Sequence, residues 1–326
     1  MKKRNLLIAG GALLAAGAAL VVPVGGDLAE SKPDSVAKGV DLSAFPDSPP
    51  GRPIHTLFVH HSVGGALLAD QGPEKGQSCI WETHPAGGGL RKLLGAQGYA
   101  VHEASYDSAL GNDTDLFHWL PKFSGNMDKL LRIKHQDAAL EGDAKNEIVA
   151  FKSCFPNNQL TGAGEAPGDA AGPQLTVWNV KATMSALLPI FEKHPNVLFV
   201  YLTAPAVAPR ADRMPLYRSI VRAIKGRSEP GWTAKQAGWA RELNNWMVSP
   251  DGWLKDYKGK NVVVFDYYDV LTGDGASNLS AYATKDRSDS HPSGEGHKKA
   301  AERFVPFLNR AVRRAGLVGE GKTAGN

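Results

Sequence analysis

Residues 54–65 read Ile-His-Thr-Leu-Phe-Val-His-His-Ser-Val-Gly-Gly, and the fold class turns on them. The first six are mostly apolar, with β-branched and aromatic members and no strict polar–apolar alternation. A run of that kind suits a strand buried on both faces, as in a parallel sheet. Two glycines and an Ala-Leu-rich stretch follow at once, so the chain passes from the strand straight into a helix. A strand feeding a helix with no hairpin between them is the first half of a β–α crossover unit.

The same alternation recurs along the chain. Residues 147–152 (EIVAFK), 197–203 (VLFVYLT) and 261–266 (NVVVFD) read as further buried strands. Residues 90–98 read as a helix closed by Gly98 and leading into an extended segment at 99–102. Residues 127–140 and 234–247 are helical in pattern, residues 175–194 form a helix that Pro189 breaks late, and 294–315 is amphipathic with Arg and Lys on its polar face. Apolar strands alternating with helices predict the α/β class: a three-layer α/β/α sandwich around a mainly parallel sheet. In such sheets the ligand site lies beyond the carboxyl ends of the strands.

No second linker and no internal repeat interrupts residues 54–316, which read as one domain. Residues 27–53, rich in Pro, Asp, Ser and Gly, read as a linker or a strap over the surface, and 317–326 as a flexible tail. Residues 1–26 have the layout of an export signal: Lys2-Lys3-Arg4, an apolar run over 6–22, then Pro23, Gly25 and Gly26. The apolar run falls somewhat short of the ~20 residues of a comfortable membrane span. It ends in no Ala-x-Ala cleavage site and carries no Cys to take a lipid. A cleaved signal peptide and a retained anchor both stay open, and the anchor is the one expected contact with a membrane. Either way the body is expected outside the cytoplasm: periplasmic, secreted or anchored.

Hydrophobic residues make up 42% and charged residues 21%, enough apolar material for a real core. Of the net charge of +4, residues 2–4 supply three, so the body is nearly neutral and carries no electrostatic footprint for nucleic acid. An exported chain permits a disulfide between its two cysteines, Cys79 and Cys154, and whether the sulfurs meet stays open.

Three strand ends carry chemistry. Ser62 follows the first strand at a turn into a helix, where its hydroxyl is exposed and its own N–H faces a developing oxyanion; the same Ser also suits an N-cap. Asn157 and Asn158 follow the strand at 147–152, where an amide can donate to an oxyanion or merely close a turn. Before the last helix comes Asp286-Arg287-Ser288-Asp289-Ser290-His291-Pro292. A carboxylate near His291 fixes the imidazole tautomer and leaves Nε2 free to take a proton.

Strand-Ser-Gly first, strand-Asn in the middle and Asp-x-His-Pro before the final helix together resemble the SGNH or GDSL hydrolase superfamily of serine esterases, over roughly residues 54–315. The resemblance implies a flavodoxin-like sheet, a Ser62–His291–Asp289 triad and an oxyanion hole shared by the Ser62 N–H, a Gly and an Asn. Asn157 is favoured over Asn158 for that hole, and Gly111 in Leu110-Gly111-Asn112-Asp113 is the candidate glycine. The chain departs from the family pattern in three places. His60-His61 stands where Gly-Asp is usual. Ser288 occupies the usual acid position, which leaves Asp289 or Asp286 as the acid. Ser-Cys-Phe-Pro-Asn-Asn replaces Gly-x-Asn-Asp.

The expectation is therefore an exported ester hydrolase that works through an acyl-enzyme without cofactor or metal, on a small-molecule or polysaccharide ester. A carbohydrate O-acetylester is one candidate, because Trp81, His84, Tyr106, Asp113, Thr114, Asp115, His118 and Trp119 offer ring faces and polar groups to a sugar. Three other readings remain. His60, His61, Asp289, His291 and His297 suit a metal-dependent hydrolase. The altered motifs suit an inactive glycan-binding protein on the same fold. Cys154, beside Lys152, offers an alternative nucleophile. No heptad seam points to a partner chain, and the oligomeric state stays open.

Overall fold

Successive residues of a strand point to opposite faces of its sheet, and the continuous apolar runs read above supply both faces at once. The computed structural model describes residues 39–209, 234–284 and 289–319. The segment read as a signal or anchor, residues 1–26, lies outside them, as do Asp286 and residues 320–326. From strand β1 (Ile54–Val59), Ile54 and Phe58 enter one core, while Leu57 and Val59 enter the other. Strands β8 (Ile148–Lys152), β9 (Leu198–Leu202) and β10 (Val262–Phe265) divide in the same way.

The main sheet runs β10-β9-β8-β1-β5-β6-β7, where β5 is Tyr99–Ala104, β6 Ile133–His135 and β7 Ala138–Ala139. Every neighbouring pair is parallel except β6 with β7. Numbered by chain order, its five long strands lie 2-1-3-4-5, the flavodoxin-like order, so the fold is a three-layer α/β sandwich with a mostly parallel sheet. The direction of winding reverses between β1 and β8, and the crevice that opens there at the strand ends receives Ser62 and Cys154.

Helices α1 (Ser62–Leu68), α2 (Leu90–Ala96) and the C-terminal Gly294–Arg314 cover one face. Leu116–Leu130 (α3), Val177–Glu192 (α4) and Ala234–Val248 (α5) cover the other. Beneath α3 and α4 the rings of Trp119, Phe123, Phe151, Phe191 and Phe199 pack against one another. A second small sheet, β2 (Asp70–Gln71), β4 (Ile80–His84) and β3 (Lys75–Gln77), leans on α1. The described part of the Pro-rich segment straps across the C-terminal helix: Arg313 donates to the carbonyls of Ser48 and Pro49, and Asn309 to that of Asp47.

Two sequence expectations need correction. Residues 127–140 are not one helix. The helix is Leu116–Leu130, and the chain then turns through β6 and β7. Its start is fixed by a capping box between Asp115 and His118, and its buried face by Leu116, Trp119, Phe123, Met127 and Leu130. Pro189 does not end its helix, which continues to Glu192. The proline costs one hydrogen bond, about 3 kcal/mol. Leu187 and Phe191, both fully buried on either side of it, each return about 1.5–3 kcal/mol.

After β10, Asp266 caps the short helix Tyr267–Leu271 by accepting from the Asp269 N–H. Burial, reinforced by the charge of Asp269, lifts its pKa to about 7. A raised carboxylate pKa means stability that is complete below the unfolded value of about 4 and is lost as pH rises through about 7. Asp266→Asn keeps the capping oxygen and has no charge to bury. Its melting temperature should match wild type near pH 4 and exceed it at pH 8, as thermal melts across that range would read.

Candidate active site

Ser62 is the first residue of α1, and the chain reaches it through His60, whose N–H donates to the Ala104 carbonyl at 3.1 Å. The two glycines behind it are there for close approach. A Cβ on Gly64 would strike the His60 side chain, and one on Gly65 the carbonyl of Cys79. That carbonyl is presented by a turn in which Ser78 and Cys79 both take left-handed φ, 52° and 62°.

The Ser62 hydroxyl lies 2.8 Å from Nε2 of His291. His291 Nδ1 lies 2.7 and 2.8 Å from the two oxygens of Asp289. A carboxylate only accepts, so Nδ1 carries the hydrogen and Nε2 is left to accept the Ser62 O–H. The loop bearing both residues is held from several sides. Ala208 N–H donates to Ser290 Oγ, Ser293 N–H donates to the Tyr282 carbonyl, and Ala283 bridges to Pro292. Phe155 sets its ring edge-on to His291 at 5.0 Å and 78°. Ser62 and His291 are half-buried and Asp289 is exposed, so the three line an open crevice.

The residues expected to complete an oxyanion hole have other partners. Asn157 Nδ2 donates to Asp115 Oδ1 at 2.9 Å and to the Cys154 carbonyl at 3.3 Å, and its Oδ1 accepts from the Leu116 N–H. It clamps the start of α3. Asn158 donates to the carbonyls of Ala204 and Pro205 and accepts from Asn244. The Gly111 N–H donates to Ser108 Oγ, and its carbonyl accepts from His61 Nε2. A substrate oxygen would have to displace these partners to use any of the three. Asn157→Ala should therefore cost about 1–3 kcal/mol of stability. It should slow ester turnover by less than the 10²–10³ typical of a lost oxyanion donor. Thermal melts and kcat measured on the same preparation separate the two effects.

Histidines 60 and 61, next to the serine, differ sharply. His60 is fully buried, with Nε2 3.0 Å from Glu103 and Nδ1 3.0 Å from the His61 carbonyl. Arg91 also holds Glu103, with Nε at 2.9 Å, and donates to the Trp81 carbonyl. Burial pushes the Glu103 carboxyl up, but His60 and Arg91 together hold it below the ordinary range. His61 stacks on Tyr106 at 3.8 Å and 21°, and burial lowers its pKa to about 4. Glu103 and Arg91 escaped the sequence reading. The signal was a lone acid inside an otherwise weakly polar strand beside one that His60 follows directly.

The side chains named for a metal do not converge. His60 is committed to Glu103 and His61 to Gly111, while His297 donates to the Ala86 carbonyl. Among the described residues no group of three or more His, Cys, Asp or Glu is placed to hold a metal ion. Cys79 and Cys154 are both free thiols. Of the residues read as sugar-facing, Trp119 is in the core with its indole N–H on Ser153, and Asp115 and His118 cap α3. Trp81 and His84 stack on each other at 4.4 Å, and Tyr106 is 38% exposed.

No protein-family model matches the chain, and no curated protein matches it. Among solved structures, it is similar to a carbohydrate esterase family 2 enzyme with a carbohydrate-binding domain, from Corynascus thermopiles (Myceliophthora fergusii). The identity is 15% and the TM-score 0.39, over 81% of this chain and 67% of the other. A second solved chain matches at 14% identity and a TM-score of 0.37, over 78% of this chain and 96% of its own.

Proposed function

We propose that this protein is an ester hydrolase in which Ser62 is the nucleophile, His291 the base and Asp289 the residue that orients it. The observation that carries the reading is the continuous line of hydrogen bonds from the Ser62 hydroxyl through the imidazole to the Asp289 carboxylate. His291 takes the Ser62 proton as the oxygen attacks an ester carbonyl. It then passes that proton to the departing alcohol, and a water molecule deprotonated by the same imidazole releases the acid. The Ser62 N–H is the oxyanion donor this reading retains.

The substrate is a carbohydrate ester, a reading that rests on the exposed Tyr106 face stacked on His61 next to Ser62. The acetyl group is the candidate acyl group. The body acts outside the cytoplasm, as the basic and apolar N-terminal sequence suggests. Among the described residues no helix is long and apolar enough to cross a membrane.

A fluorescent alkylphosphonate tests the nucleophile directly. Wild type should label and Ser62→Ala should not. A folded wild-type protein that stays unlabelled would sink the serine mechanism and leave the glycan-binding reading, which the engaged Asn157, Asn158 and Gly111 favour.

A further inference from the structure

Lys152 ends β8, and its side chain is fully buried. No carboxylate lies within salt-bridge distance of it among the described residues. Among the described residues its amine reaches Cys154 Sγ at 3.8 Å. The two residues are two apart at a strand end, a spacing that puts side chains on one face. Burial holds the Lys152 amine below the usual lysine range, against the opposing influence of Cys154. Tyr267, which feels the charge of Cys154, and His297, which feels that of Lys152, bury Oη and Nε2 without a hydrogen-bond partner among the described residues. The ground at the end of β8 therefore holds an amine, a thiol and two polar atoms with no partner among the described residues. The proposed triad uses none of them. Cys154 itself is partly exposed, within reach of a small solute.

We propose that Cys154 and Lys152 form an oxidant-driven modification site, in which hydrogen peroxide acts on the thiol and the Lys152 amine closes a sulfenamide cross-link. In the first step the thiol sulfur takes one peroxide oxygen. The O–O bond breaks, Cys154 becomes a sulfenic acid, and water leaves. In the second step the neutral amine attacks the sulfur. The S–N bond forms as the S–O bond breaks, and the hydroxyl departs with one amine proton as a second water. Peroxide is reduced and sulfur oxidised in the first step only. A thiol reductant reverses the link by attacking the sulfur. Phe155, the next residue, carries the ring that abuts His291, so drawing Cys154 toward Lys152 shifts the wall of the crevice. The cross-link requires no ester chemistry and does not depend on the role of Ser62.

The test is intact-mass measurement and tryptic mapping of the full chain after graded peroxide, in wild type, Cys79→Ser and Cys154→Ser. Wild type and Cys79→Ser should each lose the mass of one pair of hydrogen atoms and resist trypsin after Lys152. Dithiothreitol should restore both the lost mass and the cleavage, and Cys154→Ser should show neither the lighter species nor the resistance. Three results would overturn the proposal: a Cys154 peptide that keeps added oxygen, loss of the lighter species in Cys79→Ser (which makes it a Cys79–Cys154 disulfide), or an unreacted Cys154. Mapping the wild type avoids any need to substitute a buried lysine.

Discussion

Ser62→Ala should lower kcat/KM for an ester such as p-nitrophenyl acetate by about 10⁴–10⁶, while leaving the melting temperature within about 2 °C of wild type. The size follows from the role proposed for the hydroxyl. Without it there is no acyl-enzyme, and what remains is whatever the crevice contributes by binding and by the Ser62 N–H. Structurally the change is small, because Ser62 is half-buried, the hydroxyl's hydrogen bond is to a half-exposed imidazole, and alanine is a good residue for a first helical turn. Asp289→Asn should behave differently from either. The amide retains the size of the carboxylate but favours the wrong tautomer of His291, a change worth about 10⁴ in kcat at other triads. A Ser62→Ala protein that still hydrolyses at a tenth of the wild-type rate would end the nucleophile assignment.

The second large effect concerns stability. Glu103→Ala should destabilise the fold by about 3–5 kcal/mol, because it leaves a fully buried His60 without its carboxylate. Arg91 loses the same partner but is partly exposed and can turn to water, so most of the cost falls on His60. For a domain of this size the melting temperature should fall by on the order of 10 °C. The pH dependence has a definite sign. The folded-state pKa of Glu103 lies below its unfolded one, so its stabilisation is present above the ordinary carboxylate range and lost as pH falls through the depressed value. The gap between wild type and variant should therefore be widest near neutrality and narrow in acid. A gap independent of pH would mean that Glu103 acts by packing alone.

How much of this the sequence disclosed depends on the range of the interactions involved. The long strands were legible because burial on both faces demands unbroken apolar runs, as in Val262–Phe265. The placement of Ser62 and His291 beyond the strand ends was legible as a candidate site because strand-to-helix turns and pre-helix loops are where such sheets expose side chains. The start of α3 was missed because Pro121 and the kinked Asn126 disturb its period, and the cap at Asp115 gives the better signal. The short strands Ile133–His135 and Ala138–Ala139 exist through pairing with β5 and with each other, and nothing in their composition announces them. Asn157 was assigned by position along the chain, and its partners, Asp115 and Leu116, are some forty residues away. Trp119 illustrates the same limit: aromatic composition cannot distinguish a ring for a ligand from one for the core.

Ser62 and His291 are joined by a hydrogen bond across a sequence separation of 229 residues. A polypeptide made or threaded across a membrane from its N-terminus carries the serine long before the imidazole that would activate it. The loop around His291 draws its anchors from Ala208, Tyr282 and Ala283, so these too must be in place before the imidazole is held. On the mechanism proposed above, a partly synthesised chain is chemically silent, because its serine has no imidazole to take the proton.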